Sequence, residues 1–313
     1  MSDNPPIEYD FPDLSRWEKG DAPYIHVRES GKPGPTVMVA ALTHGNEVSG
    51  AIVVDALLAA GLQPRKGTLI FSFNNIEAYQ RFDPNNPFKS RMVEEDFNRT
   101  WGRLDKPATT LETRRAQVLK PFVERADFLL DLHSMHDDCV PLMLCGPLDR
   151  GAELARKLGT PADIVRDRGH AAGMRMRDYG AFGDPNSSKT ALLIETGQHW
   201  RASSVQVAKD VTARFLVETG VVEEADLPAG WKQPATDAQR VVQVTHAIAT
   251  KRGNFMPARR FEGQEVIAKA GTVLGHDDGE AVTTPYDNCV LVMPSINRPL
   301  RAGVTVVRLG RLI

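Results

Sequence analysis

Residues 37–50, VMVAALTHGNEVSG, decide the fold class because they join a strand pattern, a polar turn and a helix pattern. The apolar and β-branched run predicts a strand over 36–42, and the residues after the turn predict a helix over 48–60. His44 and Glu47, an imidazole and a carboxylate, lie between them. Two such groups at a strand end can bind one divalent cation, and a third ligand would complete a catalytic zinc site with a position open for water.

The alternation of strands and helices continues to about residue 220. Further strands are predicted over 68–74, 128–132, 141–145 and 191–194, and further helices over 111–126, 151–158 and 205–218. Continuous apolar strands between helices are typical of sheets that are covered on both faces. The pattern therefore predicts an α/β fold with a mostly parallel or mixed sheet flanked by helices.

The character of the chain changes after this first domain, which is predicted to span 1–220. Residues 221–240 are polar and rich in Pro, Gly and acidic side chains, and they predict a linker. Short β-branched runs spaced by glycines then predict a small all-β module, a compact sandwich or barrel, over 241–313. At the other end, the proline-rich residues 1–35 predict a leading segment with a hairpin.

Composition limits the classes of function. The 313 residues carry a net charge of −2 without a basic cluster, which argues against nucleic acid or an anionic membrane as a partner. No apolar run approaches the ~20 residues that span a bilayer, and no signal-peptide pattern is present. Cys139, Cys145 and Cys289 are an odd number without C-x-x-C, which favours reduced, buried thiols and a cytoplasmic location. A homo-oligomer is compatible with this composition.

His133 is the candidate for the third ligand. It ends the apolar run FLLDLH, and ligands of open parallel sheets gather outside the carboxyl ends of strands. Asp131 shares a strand face with His133 and could orient its imidazole. His136, three residues on, is compatible with a ligand, a proton carrier or a solvated loop residue. The remaining histidines lack this placement and are interpreted as surface or core residues: His26, His170, His199, His246 and His276.

Two further groups of polar residues could complete an active site. Glu195 closes the apolar run ALLIE, where it could act as general base toward water, or it could be a helix-capping or salt-bridged glutamate. Arg91, Asn98 and Arg99 lie in the long polar segment 77–107, whose length is typical of functional loops. Arginine presents a planar fork that matches a carboxylate, so these residues could bind an acidic substrate or form surface ion pairs.

Taken together, these residues resemble the aspartoacylase/succinylglutamate desuccinylase family, a branch of the zinc carboxypeptidase-like fold. The resemblance covers about residues 36–200 and rests on the order and spacing of Thr43-His44-Gly45-Asn46-Glu47, Arg91, Asp96-Phe97-Asn98-Arg99, Asp131-Leu132-His133 and Glu195. Members carry a C-terminal β module, as predicted here. The segment after Glu195, Thr-Gly-Gln-His, departs from the Gly-Pro step of the aspartoacylases.

The resemblance implies a role for each of these residues. His44, Glu47 and His133 would be the ligands of one Zn²⁺ per chain, and Glu195 the general acid and base. Asn98 and Arg99 would hold the substrate carboxylate, and Arg91 would polarise the scissile carbonyl. The segment 170–184 has no match in the family, and we expect it to line the substrate pocket through Arg175, Arg177 and Tyr179.

The sequence thus predicts a zinc-dependent amidohydrolase that cleaves a small N-acyl amino acid, or a related N-acyl amine, into a carboxylate and a free amine. Three alternatives stay open. The same residues could serve a carboxypeptidase that acts on peptides. An acylated diamine or compatible-solute precursor could place a second amine on Asp178 or Asp184. A non-catalytic, metal-dependent binding protein would use the β module as its interaction surface.

Overall fold

A computed structural model of the chain describes residues 5–235, 238–295 and 301–313. Its strands are β1 (Ile25–Glu29), β2 (Thr36–Ala41), β3 (Thr68–Phe73), β4 (Phe128–Met135), β5 (Leu142–Leu144), β6 (Asp163–Arg166), β7 (Thr190–Gln198), β8 (Arg240–Ala249), β9 (Phe255–Pro257), β10 (Val266–Ile267), β11 (Val273–Asp277), β12 (Glu280–Thr283), β13 (Cys289–Val292) and β14 (Thr305–Leu312). Its α-helices are α1 (Ser49–Ala59), α2 (Ile76–Gln80), α3 (Leu111–Arg125), α4 (Asp149–Leu158) and α5 (Ala202–Glu218).

A mixed sheet of 11 strands forms the framework, in the order β1-β3-β2-β4-β7-β5-β6-β8-β14-β13-β10. At its centre β2 pairs in parallel with β3 and β4, and β4 pairs in parallel with β7. The carboxyl ends of these strands therefore meet at one edge, where open α/β sheets bind ligands. The register sets His133 of β4 beside Glu195 of β7.

The central strands are buried on both faces because their successive side chains point to opposite sides. In β2, Val37, Val39 and Ala41 pack into one cluster with apolar residues of α1, α4 and α5. Met38 and Ala40 pack on the other face against apolar residues of α3. This two-sided burial explains the continuous apolar runs of the sequence. None of the helices in the described part of the chain is long and apolar enough to cross a membrane.

The C-terminal residues extend the main sheet and add a second one. β8 pairs in parallel with β6 and antiparallel with β14, so the framework passes from the α/β part into the β module without a break. β9, β11 and β12 form a separate antiparallel sheet. Apolar residues of both sheets, among them Leu274 and Leu291, share one buried cluster.

The predicted fold class is confirmed, with differences in detail. β4 and β7 run to Met135 and Gln198, past the ends of their apolar runs, so His133 and Glu195 lie inside strands. The predicted N-terminal hairpin is wrong, because β1 pairs antiparallel with β3 at the edge of the main sheet. The division at the linker 221–240 stays a prediction. Residues 236–237 of that linker and residues 1–4 of the leading segment lie outside the described residues.

Candidate active site

Three side chains from separate elements converge at the carboxyl edge of the sheet. His44, Glu47 and His133 offer ligand atoms that all lie within 4.8 Å of one another. Nδ1 of His44 lies 2.7 Å from Oε1 of Glu47, and Nδ1 of His133 lies 2.7 Å from Oε2 of the same carboxylate. All three residues are buried. Two imidazoles and a carboxylate that face one another form the ligand set of many catalytic zinc sites.

A carboxylate lies behind each imidazole. Nε2 of His44 is 3.0 Å from Oδ1 of Asp96, and Nε2 of His133 is 2.9 Å from Oδ2 of Asp131. Thr43 donates a 2.8 Å hydrogen bond to the other oxygen of Asp131. Such partners fix the ring and direct its inner nitrogen toward a shared cation. The residues of this chain therefore fit a divalent metal ion.

The charges around these residues also favour a cation. Burial alone would raise the pKa of Glu47, but the imidazoles of His44 and His133 hold that pKa well below its ordinary value. Burial opposes charge on His133, yet Asp131 and Glu47 raise its pKa well above the ordinary value. Acidic groups thus make a positive charge favourable at this point.

Glu195 approaches the same point from β7. Its Oε2 atom is buried and has no hydrogen-bond partner within the described part of the chain. Burial, reinforced by repulsion from Glu47, raises the pKa of Glu195 to about 8. A carboxyl group in a cavity with a pKa near neutrality can take up and release a proton under physiological conditions.

Arg91 brings a positive charge to the edge of the centre. Its guanidinium donates a 2.9 Å hydrogen bond to Glu47 and a 3.1 Å hydrogen bond to Asp96, and lies 2.8 Å from Nε2 of His44. The side chain is 36% exposed, and it lines the cavity above the centre. A guanidinium in this position can stabilise negative charge that develops on a substrate oxygen.

A buried carboxylate on α3 organises the loop that carries Arg91 and Asp96. Glu112 accepts backbone hydrogen bonds from Val93, Glu94 and Glu95 at 2.7, 3.2 and 3.3 Å. Capping of α3 by Thr110 fixes the start of the same helix. Glu112 thus orders residues 93–95 of the long polar segment by supplying acceptors that a sheet or helix would otherwise provide.

Replacing Glu112 with alanine is expected to lower the free energy of unfolding by about 1–3 kcal/mol, because three part-buried backbone N–H groups would lose their acceptor. Catalytic efficiency should fall as well, since Arg91 lies on the loop that would lose its anchor. Denaturant unfolding and kcat/KM measure the two effects. Arg114→Ala, at an exposed position of the same helix, serves as the control. Equal stability of the two variants would contradict the anchoring role.

A cavity of about 510 Å³ opens above the three ligands. The α/β part supplies one wall, and the C-terminal β module supplies another through Phe261, Met293, Val304 and Arg308. The candidate ligands, Glu195 and Arg91 all face this space. The cavity is large enough for a small molecule and is bounded by two parts of the chain.

Comparison with known proteins identifies this architecture. Residues 33–218 match the model of the succinylglutamate desuccinylase/aspartoacylase catalytic domain. The chain belongs to this family. The resemblance drawn from the sequence is thereby confirmed. A comparison with curated proteins finds no match.

Solved structures share the fold of this family member at low identity. A succinylglutamate desuccinylase/aspartoacylase from Rhodobacter sphaeroides is 20% identical, with a TM-score of 0.64, over 92% of this chain and 88% of that one. The product-bound ectoine utilization protein EutE (DoeB) from Ruegeria pomeroyi is 19% identical, with a TM-score of 0.66, over 96% and 92%. A succinylglutamate desuccinylase from Silicibacter sp. TM1040 is 18% identical, with a TM-score of 0.65, over 100% of both chains.

Asn98 and Arg99 lie in the cavity wall of this family member, next to the loop residue Asp96. Asp96 accepts a 2.9 Å hydrogen bond from the backbone of Asn98, which fixes the turn that presents the pair. Oδ1 of Asn98 accepts a hydrogen bond from the backbone of Met176 at 2.9 Å, so its amide nitrogen is the group left for a ligand. The guanidinium of Arg99 donates to the carbonyl of Asn98 at 2.7 Å and forms no ion pair within the described residues.

The structure does not bring the three predicted pocket residues of the unmatched segment together at the cavity. Arg175 lines the cavity, but Asp167 and Asp178 already bind its guanidinium. Arg177 donates to the carbonyls of Cys145 and Ala191 and supports the protein interior.

Tyr179 donates a 2.8 Å hydrogen bond to Glu124 and packs on Trp101, away from the cavity. A substrate contact of Arg177 or Tyr179 is therefore not supported. Neither Asp178 nor Asp184, the candidate partners of a second amine, lines the cavity.

His199, interpreted from the sequence as a surface or core residue, is buried, but it also lines the cavity, which the sequence did not indicate. Nδ1 of His199 lies 2.8 Å from Oγ of Ser134, and the backbone of Ser134 donates to Glu47 at 3.3 Å. The placement that marked His44, a histidine just after a strand, also applies to His199, which directly follows β7. The apolar run ends at Ile194, so the polar continuation of β7 was not recognised. His136 also lines the cavity, stacked on Phe88 with ring centroids 3.6 Å apart.

Proposed function

We propose that this family member is a zinc-dependent amidohydrolase that removes the acyl group from a small N-acyl amino acid and releases a carboxylate and a free amine. The observation that carries the proposal is the unpaired, buried carboxyl of Glu195 beside three converging metal ligands. A protein that only binds a metal ion has no use for such a group, because burying it without a partner costs free energy.

The proposed role of each residue in the cavity follows from its position relative to the candidate metal ligands. A zinc ion held by His44, Glu47 and His133 would polarise a water molecule and the substrate carbonyl. Glu195 takes the proton of the attacking water and returns it to the nitrogen as the C–N bond breaks, so the amine leaves neutral. Arg91 stabilises the negative charge that develops on the carbonyl oxygen.

Substrate positioning falls to the neighbouring loop. The guanidinium of Arg99 and the free amide nitrogen of Asn98 lie in the cavity wall, where together they can bind a carboxylate. Holding that carboxylate fixes the distance between the amide and the catalytic groups, which lowers the entropic part of the barrier.

The cavity favours a small substrate over a peptide. The C-terminal β module closes one side of it through residues such as Phe261 and Val304, so the space above the ligands is bounded. A carboxypeptidase needs an open path for the chain that precedes the scissile bond. The structural similarity to desuccinylases and to an ectoine utilization protein is consistent with a small acylated substrate.

The test is a substrate panel with the metal content of the enzyme measured in parallel. The purified protein is expected to release free amine from at least one N-acetyl, N-succinyl or N-formyl amino acid. A chelator should abolish turnover, and added Zn²⁺ should restore it. Cleavage of peptides in preference to the whole panel would support the carboxypeptidase instead. Stoichiometric metal without turnover of any substrate would overturn the proposal.

A further inference from the structure

His199 is a buried histidine with one ring nitrogen held by the protein and the other left for the cavity. Its exposed fraction is only 1%, yet it lines the cavity above the candidate metal ligands. Nδ1 is paired with Oγ of Ser134 at 2.8 Å. Within the described ranges no group of the protein hydrogen-bonds to the other ring nitrogen, Nε2, and this nitrogen is not enclosed in the interior. Nε2 is therefore available to a molecule in the cavity.

The surroundings of His199 hold its ring in one orientation. The backbone N–H of His199 donates to the carbonyl of Met135 at 2.9 Å, and its own carbonyl accepts a hydrogen bond from the hydroxyl of Tyr9. The rings of Trp200 and Phe88 lie beside the imidazole, with centroids 5.5 and 6.4 Å away. A polar group that is fixed before the substrate arrives needs little reorganisation during the reaction.

The ring lies beside the reaction centre without belonging to the ligand set. Ser134, its partner, donates a backbone hydrogen bond to Oε2 of Glu47 at 3.3 Å. Arg91 donates to Oε1 of the same carboxylate at 2.9 Å. His199 and Arg91 are thus connected to the two oxygens of one candidate ligand. His199 itself is not part of the group of described residues whose ligand atoms converge.

The imidazole of His199 carries a single proton at physiological pH. Burial lowers its pKa to about 3, although the charge of Glu47 opposes the change. In a neutral imidazole the hydrogen bond at one nitrogen decides which nitrogen is protonated. A hydroxyl of Ser134 that donates to Nδ1 leaves the ring proton on Nε2. The negative charge of Glu47 favours this arrangement, because it attracts an N–H group and repels a lone pair.

We propose that Nε2 of His199 donates a hydrogen bond to the carbonyl oxygen of the scissile amide, in addition to the interaction from Arg91. The inference rests on the proposed deacylase function and adds a catalytic residue to it. The carbonyl oxygen gains negative charge when water attacks the carbon, so a fixed donor binds the transition state more tightly than the substrate. Ser134 is a positioning residue, because it acts through the ring of His199.

His199→Phe removes both ring nitrogens and keeps an aromatic ring between its neighbours. For the substrate that the unmodified enzyme hydrolyses fastest, kcat and kcat/KM should each fall about 10²-fold, with KM nearly unchanged. His199→Gln should recover part of the loss, since its amide nitrogen can donate from a similar position. Metal content should stay at one ion per chain in both variants.

Ser134→Ala tests the assignment of the proton. The ring of His199 stays, but its proton is no longer confined to Nε2, so kcat should fall by less than in His199→Phe. NMR of protein that carries ¹⁵N-labelled histidine distinguishes the two neutral forms of the ring. We expect a protonated Nε2 in the unmodified protein and a mixture of both forms in Ser134→Ala.

A phosphonamidate separates a catalytic role from a structural one. In this analogue of the substrate a tetrahedral phosphorus replaces the carbonyl carbon, so its oxygen imitates the charged oxygen of the transition state. Its affinity for His199→Phe should fall by the same factor as kcat/KM, whereas the affinity for the released amino acid should not change. A residue that only supports the fold would alter both affinities.

His26→Phe is the matched control. It makes the same change at another buried histidine, on β1, whose Nε2 lies 3.0 Å from the carbonyl oxygen of Trp17. Neither kcat nor the affinity for the phosphonamidate should change, whatever the effect on Tm. Metal analysis and thermal unfolding of every variant verify that the enzyme is folded and loaded.

Three results would overturn the role of His199 while leaving the deacylase intact. Metal-loaded His199→Phe could retain full kcat, it could lose affinity for the phosphonamidate and the amino acid equally, or the unmodified protein could carry the ring proton on Nδ1. Absence of turnover for every substrate by the metal-loaded, unmodified enzyme would instead refute the deacylase function, and the role of His199 would fall with it.

Discussion

Replacing Glu195 with glutamine is expected to lower kcat by about 10³- to 10⁴-fold while the bound metal is retained. Glutamine has nearly the same shape and fits the same space in β7, but it cannot accept a proton from water or return one to the leaving amine. Because Glu195 is not one of the three converging ligands, metal stoichiometry should not change. Steady-state kinetics and metal analysis of the same sample measure both quantities.

The Glu195→Gln variant should also differ from the unmodified protein in its thermal stability. In the metal-free protein the pKa of Glu195 is about 8, above the ordinary value of 4.5. Between pH 4.5 and pH 8 this carboxyl group ionises in the unfolded chain but stays protonated in the folded protein. The free energy of unfolding therefore falls as the pH rises through this range. Metal-free Glu195→Gln should therefore unfold at a higher Tm than the unmodified protein at pH 8, and the difference should vanish near pH 4.

Glu218→Gln, the same change at an exposed position of α5, controls for a general effect of removing a carboxylate. It should leave kcat and the pH dependence of Tm unchanged. Full activity of Glu195→Gln would exclude Glu195 from proton transfer, whatever its effect on stability.

Loss of one candidate metal ligand is expected to remove the bound metal ion and, with it, the activity. His133→Ala should reduce the metal content from about one ion per chain to near zero after dialysis, since two protein ligands rarely hold a catalytic zinc ion. Activity should disappear with the metal. Asp131→Asn keeps all three ligands and removes only the charge behind His133, so the metal affinity should fall about 10- to 100-fold.

Metal titration of the dialysed variants tests whether His133→Ala loses more metal affinity than Asp131→Asn. His246→Ala, which removes an exposed imidazole on β8, should bind metal as the unmodified protein does. Stoichiometric, tight binding by His133→Ala would contradict the assigned ligand set. An Asp131→Asn variant with unchanged affinity would contradict only the orienting role of that carboxylate.

The convergence of the candidate metal ligands could be predicted because their place in the sequence follows a local rule. His44, His133 and Glu195 each stand near the end of an apolar run, and the carboxyl ends of neighbouring parallel strands meet at one edge. The roles of Arg91, Asn98 and Arg99 came from resemblance, because a polar loop without periodicity has no geometry of its own in the sequence. Residues 93–95 of this loop are held by Glu112, which lies outside the loop on α3.

Which arginines face the cavity without a partner could not be predicted in this way. Arg175, Arg177 and Arg308 have the same chemistry in the sequence, but only the fold decides which of them has a partner. Asp167 and Asp178 neutralise Arg175, whereas Arg308 lies on a strand more than a hundred residues away and has none in the described chain. The pairing of β6 with β8, which brings that strand to the cavity, is likewise non-local.

The continuous strand pairing from β6 through β8 to β14 has a consequence for how substitutions can change the cavity. The candidate metal ligands and the cavity residues of the C-terminal module lie in separate stretches of the sequence, yet hydrogen bonds between strands fix their relative position. Substitutions in β14 can therefore change the wall of the cavity without changing the candidate metal ligands. Without β8, the edge of β6 would be unpaired and open to pairing with a strand of another molecule.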